Sequence, residues 1–162
     1  MTEQAVTRLT TYLDEVALEW ELGGREGEYV VTLPGEKKLK TVVSLLVRDR
    51  VTSISAFVIR HPDENHEKFY RHLLRKNLRL AGIAYAIDTD GDVFLRGQLP
   101  TAGLDADQLD QLFGVILGAS DEAFNELLVI GFLTSMQKEW DWRISRGEST
   151  RNLESFRHLL EE

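Results

Sequence analysis

Between Glu28 and Leu99 the sequence runs through three strand-like stretches, a helix and two further strands, an order that an alternating βαβ chain cannot have. The first strand, Glu28 to Leu33, stops at Pro34-Gly35, a pair suited to the centre of a type II turn. Residues 40–48 and 51–60 are rich in Val, Ile, Thr and Leu, and only Asp49-Arg50 separates them, which predicts a hairpin. Arg60-His61-Pro62-Asp63 then breaks the strand pattern, because a residue before proline avoids the helical region and Asp63 can cap a new helix. That helix is predicted from Glu64 to about Leu80, stopped by Gly82. Asp90-Gly91 between Ile83–Ile87 and Val93–Leu99 is a strong signal for a second hairpin.

Helices flank these strands. Ala5, Val6, Leu9, Tyr12, Leu13, Val16 and Ala17 share one arc of an N-terminal helix, and Gly23, Gly24 and Gly27 mark the loop after it. Asp105, with Gln108 three residues on, opens a helical pattern that runs to about Arg146 with an interruption near Gly118-Ala119-Ser120. Beyond Gly147 a short helix carries Leu153, Phe156 and Leu159. The predicted fold is α+β, an antiparallel sheet of five strands with helices in the order α-β-β-β-α-β-β-α. One domain is expected over 1–146, with a C-terminal helical extension over 147–162.

A chain of 162 residues can bury a core large enough to need no staple, and with no cysteine it has no disulfide, thiol nucleophile or Cys-based metal site. Its 19 Lys and Arg against 27 Asp and Glu give a net charge of −8, which repels nucleic-acid backbones. The longest apolar run, Leu127 to Leu133, is far shorter than a membrane span. Glu3, Asp14 and Glu15 interrupt the start, so it does not read as a signal peptide, and a cytoplasmic protein is expected.

Two helices say more than the rest. The one from Glu64 sets Phe69, Tyr70, Leu73, Leu74, Leu78 and Leu80 on one half and Lys68, Arg71, Arg75, Lys76 and Arg79 on the other. Residues 60–80 hold six Lys or Arg against three acids, while the remainder holds 13 against 24. The basic stripe reads either as a solvated face suited to the helix dipole or as a docking stripe for an acidic segment of a partner or a second subunit. Residues 97–137 contain no Lys or Arg but six acids, among them Asp105, Asp107 and Asp110. In the last long helix Phe124, Leu127, Leu128, Val129, Ile130, Phe132, Leu133 and Met136 face every direction, so more than one flat layer must cover it: an intramolecular cover, a second subunit or a ligand. Trp140 and Trp142 lie on opposed faces, so at most one belongs to the core and the other is a candidate recognition anchor. The candidate partner-binding residues are Arg71, Arg75, Trp140 and Trp142.

Catalytic patterns are absent: no phosphate-cradling glycine loop, no G-x-S-x-G and no H-E-x-x-H. Asp88-Thr89-Asp90-Gly91-Asp92 starts like a calcium loop, but the sixth and twelfth positions are Val93 and Leu99 where glycine and glutamate are required, so it reads as a hairpin turn. His61, Asp63, Glu64, His66 and Glu67 cluster without a familiar metal spacing. Neither a catalytic residue, a cofactor nor a metal is predicted, and the alternative reading is a small-ligand or metal-binding sensor, or an unrecognised enzyme, that uses this cluster.

Four strings carry a family resemblance: Val31-Thr32-Leu33-Pro34-Gly35-Glu36, Pro62-Asp63-Glu64-Asn65-His66-Glu67, Ala86-Ile87-Asp88-Thr89-Asp90-Gly91-Asp92-Val93, and Ile130-Gly131-Phe132 with Lys138-Glu139-Trp140. In these the chain resembles the YbjN family, in particular its actinobacterial branch, from about Leu13 to Trp142. The resemblance implies a fold similar to class I type III secretion chaperones, which are typically dimers that hold extended segments of client proteins. It brings no catalytic residues. The expected function is therefore a protein-binding or regulatory module without enzymatic activity, recognising protein segments through an apolar groove bordered by charge.

Overall fold

The computed structural model describes residues 2–161. Its helices are α1 (Thr2–Glu15), α2 (His66–Asn77), α3 (Ala106–Leu117), α4 (Phe124–Arg146) and α5 (Arg157–Leu160). Its strands are β1 (Glu19–Leu22), β2 (Glu28–Pro34), β3 (Lys40–Val47), β4 (Val51–Ile59), β5 (Ile83–Ile87) and β6 (Val93–Pro100). The strands form one antiparallel sheet in the order β1-β2-β3-β4-β6-β5, so the α+β expectation holds with one strand more than the five predicted. The extra strand is β1, which is four residues long and mostly exposed, so its alternation has no buried face to announce it.

Side chains alternate along the strands, and one set meets the helices. Val31, Leu33, Val43, Leu45, Ile54, Ala56, Val58 and Leu95 are buried against Ala5, Leu9 and Leu13 of α1 and Leu109, Leu112, Phe113 and Ile116 of α3. Tyr12 stacks on Phe113 across the two helices, and its hydroxyl donates to Asp110. The free edge of β5 is not left open. Asn77, the last residue of α2, accepts the Tyr85 N–H at 2.7 Å and donates to the Tyr85 carbonyl at 3.2 Å, standing in for a neighbouring strand.

Two turn expectations need correction. Gly35 is outside the left-handed region a type II turn demands of it; it is needed because a Cβ there would lie 1.9 Å from the Lys38 carbonyl oxygen and 2.5 Å from the Asp121 carboxylate. Asp63 does not cap α2, whose N-cap is Asn65 in a left-handed conformation with no side-chain cap. The carboxylate of Asp63 is engaged elsewhere, by Arg60 and by the Ser135 hydroxyl.

A π-helical turn, Gly118–Glu122, swings the chain from α3 into α4, where the sequence showed an interruption. The near half of α4 packs on α2, and its far half lies beneath the C-terminal helices, where Met136 and Trp140 meet Leu153, Phe156 and Leu160. Leu160, not Leu159, is the third buried residue of that extension. Gly147 ends α4 with a left-handed φ of 68°. Different parts of this one chain therefore cover much of the apolar girdle of α4. No helix of the described residues is long and apolar enough to cross a membrane.

Candidate functional site

The loop before α2 grips α4 through backbone groups in the middle of that helix. The N–H groups of Asp63 and Glu64 donate to the Gly131 carbonyl at 3.0 and 3.2 Å, and the Asn65 amide donates to that of Ile130 at 2.9 Å. The N–H of Thr134 also donates to Glu64 at 2.8 Å, and its hydroxyl donates to the other oxygen of that carboxylate at 2.7 Å. Only glycine fits at 131, because a Cβ would come within 2.9 Å of both Phe69 and Pro62. Two of the strings singled out in the sequence, Pro62–Glu67 and Ile130–Phe132, are thus the two sides of one joint.

A second joint forms between the β2–β3 turn and the π-turn. The buried Asp121 carboxylate accepts the N–H groups of Glu36, Lys37 and Lys38, the last at 2.8 Å. Burial pushes its pKa up, but the three N–H donors pull harder and hold it below its ordinary 3.8. The turn so held folds Lys38 over the end of β4. Its ammonium donates to the carbonyls of Phe57 (2.9 Å) and Val58 (2.7 Å), and it lies 5.5 and 5.6 Å from the ring centroids of Phe57 and Phe124.

Between the two joints is a groove of about 470 Å³, lined by Lys38, Phe57, Val58, Ile59 and Arg60 on the sheet side and by Phe124, Leu128, Phe132, Ser135, Met136 and Glu139 of α4, with Leu153 of the extension at its end. Its walls are mainly aromatic and aliphatic, with a cation at each rim. Arg60 lies 4.5 Å from the Phe132 ring centroid and is tied in a fork to Asp63 at 2.7 and 3.1 Å. That fork, and next the Ser135 hydroxyl, hold the Asp63 carboxyl down at about 2. Both rim cations already have partners, so what the groove offers a visitor is apolar surface.

Lys38 also approaches Ser120 at 3.4 Å, and burial pushes its pKa down to about 8, against the pull of the Asp121 charge. A serine beside such a lysine invites comparison with a Ser–Lys nucleophile. The geometry does not serve that chemistry, since Ser120 is fully buried beside Thr41 and the ammonium protons point at two carbonyls. Its titration can be checked. A lysine that releases its proton near pH 8 when folded and near 10.5 when unfolded makes the folded state the weaker proton binder between those values, so stability contributed by this group rises with pH across that window. NMR titration of the Lys38 side-chain carbons should show a midpoint at about 8, below the ordinary lysine value of 10.5, and Lys38→Met should flatten the stability slope in the same window.

The four residues chosen from the sequence do not come together at the groove. Trp140 is 6% exposed and lies under the C-terminal extension, whereas Trp142 is 48% exposed with Arg146 over its ring. Arg71 is paired with Glu67 on the outer face of α2, and Arg75 lines a separate cleft at the ends of α2 and α3. Lys38, Phe57 and Asp121 were not singled out. Lys38 comes after a turn and looks solvated, Phe57 reads as one strand residue among many, and only an acid between two apolar helices could have marked Asp121. Among the described residues the one acid group close enough for a metal is Asp88, Asp90 and Asp92, and Asp88 there accepts the N–H groups of Asp90 and Asp92 to build the β5–β6 turn. Four of the five residues of the His61–Glu67 cluster are engaged in contacts, His61 with Asp92, Asp63 with Arg60, Glu64 with Thr134 and Glu67 with Arg71, and the fifth, His66, lies beside the Tyr70 ring.

Comparison with solved structures places this architecture among type III secretion chaperones. The complex of ExsC and ExsE aligns with a TM-score of 0.58 at 19% identity, covering 78% of this chain and 96% of the other. The Yersinia pestis type III secretion chaperone SycH, solved with a stable fragment of YscM2, aligns with a TM-score of 0.51 at 22% identity, covering 75% and 98%. The heterodimeric ExoU–SpcU complex from the type III secretion system of Pseudomonas aeruginosa gives 0.52 at 17%, covering 75% and 96%. At these identities the likeness concerns the fold. In sequence, uncharacterized proteins of Mycobacterium tuberculosis H37Rv and Mycobacterium leprae are each 49% identical, over 85% and 82% of this chain and 75% and 72% of their own lengths. The model of the YbjN family, described as "Putative bacterial sensory transduction regulator", matches residues 5–129. That match takes in the Asp121 joint and the loop before α2 and ends just short of Ile130, and with it this chain belongs to the YbjN family.

Proposed function

We propose that this chain is a non-catalytic cytoplasmic module that holds an apolar segment of a partner protein in the groove between the end of β4 and α4. The observation that carries the reading is the groove itself: about 470 Å³ of mainly apolar wall, with Phe57 44% exposed, bordered by two cations whose hydrogen bonds are already made. Apolar surface held in that way stabilises whatever covers it, at roughly 25 cal/mol per Å² removed from water. The solved neighbours support a polypeptide as the visitor, since their names describe chaperones in complex with protein partners. The family description supports a regulatory setting for such binding.

The test replaces Phe57 with the photo-reactive p-benzoylphenylalanine and irradiates cells of the source organism. A single recurrent protein adduct is expected at 57, none from the same probe at Trp20 on the distant strand β1, and loss of the adduct when Ser135→Phe fills the groove. Absence of any adduct above the Trp20 control would refute the reading. So would a tightly bound small molecule in native mass spectra of the purified protein, which favours a ligand sensor.

A further inference from the structure

The outer surface of α2 is a second site of different chemistry. Arg71, Leu74 and Arg75 share one face of α2, and Leu78, its C-cap, and Arg79 follow in the turn just beyond its end. That face opposes its own folding preferences twice. Leu74 is 68% exposed and Leu78 is 87% exposed, although both could have been polar without loss to the core. Arg71 and Arg75, four apart on α2, are a like-charge pair that weakens a helix, and Arg79 adds a third cation just past its end. Glu67 relieves Arg71 and Glu126 relieves Lys76, but Arg75 and Arg79 have no acidic partner among the described residues. Beside the stripe a cleft of about 700 Å³ runs between the end of α2 and the end of α3, with Arg75, Arg79 and Leu80 on one side and Val115 and Ala119 on the other. His72 also borders it, its Nε2 buried without a hydrogen-bond partner and only 3.5 Å from Glu126.

We infer that this face of α2 docks an acidic amphipathic helix of a partner protein, whose carboxylates meet Arg71, Arg75 and Arg79 while its apolar side chains cover Leu74 and Leu78 and enter the cleft. Charge complementarity selects this occupant. The basic stretch 60–80 is set in a chain otherwise dominated by acids, 24 against 13 bases, so an acidic helix is drawn to this face and repelled from the rest. A second copy packed α2 to α2 about a two-fold axis would bring these arginines against their own copies. A nucleic acid would find the cations but would leave Leu74 and Leu78 without a partner, and the net charge of −8 opposes its approach. This site is independent of the groove between β4 and α4, and its failure would leave that reading intact.

The test is fluorescence anisotropy of the full chain with three labelled 16-residue peptides: Glu and Leu in amphipathic helical register, the same pattern with Lys for Glu, and Glu with Ser for Leu. The Glu/Leu peptide should bind, and its affinity should fall about tenfold or more between 50 and 300 mM NaCl as the charges are screened. The Lys/Leu and Glu/Ser peptides should bind at least about tenfold more weakly, since each lacks one half of the match. Arg75→Glu with Arg79→Glu, and separately Leu74→Ser with Leu78→Ser, should each remove about tenfold or more of the affinity, with Arg75→Gln and Arg79→Gln giving a milder loss if charge reversal unfolds the helix. Equal binding of all three peptides, or unchanged affinity in both double variants, would overturn the inference. So would a dimer in light scattering that the Arg75/Arg79 variant dissociates, or tighter binding of a 20-nucleotide DNA than of the Glu/Leu peptide.

Discussion

Replacing Phe69 with alanine is expected to cost about 3–5 kcal/mol of stability, the range for removing a fully enclosed aromatic ring. Phe69 has no exposed surface and is, by volume, the largest of the fully buried side chains among the described residues. Its ring sits edge to face against Phe132, with centroids 6.4 Å apart, and its edge closes on the backbone of Gly131. The cavity cannot collapse easily, because the loop 63–65 pins α4 at Ile130, Gly131 and Thr134 by hydrogen bonds that fix the separation. Urea denaturation followed by tryptophan fluorescence measures the loss. Phe69→Leu, which keeps most of the volume, should cost less than half as much; a loss below about 1 kcal/mol for Phe69→Ala would show that the α2–α4 joint relaxes and does not set the width of the groove.

Asp121→Ala should come next, at about 3–4 kcal/mol, because one buried carboxylate holds three N–H groups, and bonds to a charged acceptor are the stronger kind. Without it the β2–β3 turn loses its anchor, Lys38 loses the charge that offsets its burial, and the Phe57 and Val58 carbonyls lose their cover. Asp121→Asn separates charge from shape, since its single amide oxygen still accepts but carries no charge, and an intermediate loss is expected. Acid supplies an independent check. A carboxyl whose folded pKa lies below its unfolded 3.8 contributes stability that is present above that value and lost as pH falls through the folded one. Both variants should therefore flatten the stability curve below about pH 4, and a variant as acid-sensitive as the parent would contradict this role.

Much of the fold could be read from the sequence because its signals were local. Asp90-Gly91 lies in the turn of the hairpin it predicted, with Gly91 at a left-handed φ of 83°, and Asp105 caps α3 by accepting the Gln108 N–H. The misreadings concern residues read for one local backbone role when they are fixed by a contact three residues away together with one far along the chain. Asp63 looked like a cap and serves Arg60 and α4; Gly35 looked like turn geometry and makes room for Asp121, far along the chain. The groove was legible only in half. The apolar girdle of α4 announced one wall, but the opposite wall depends on a lysine laid over two carbonyls at the end of β4, and no period or spacing encodes that. The girdle was also expected to need a cover, and the extension after Gly147 supplies part of one from within the chain.

The amide of Asn77 on the rim of β5 has a consequence for crowding at high concentration. A sheet with two bare rims can polymerise, rim joining to opposite rim without limit. Here one rim is already occupied by a side chain, and the other is four residues long and carries Glu19 and Glu21. Two molecules meeting there would set those glutamates against their own copies. Strand addition is thus opposed at both rims, by an amide that fills the middle of one and by like charge along the other, in a protein that displays apolar surface elsewhere.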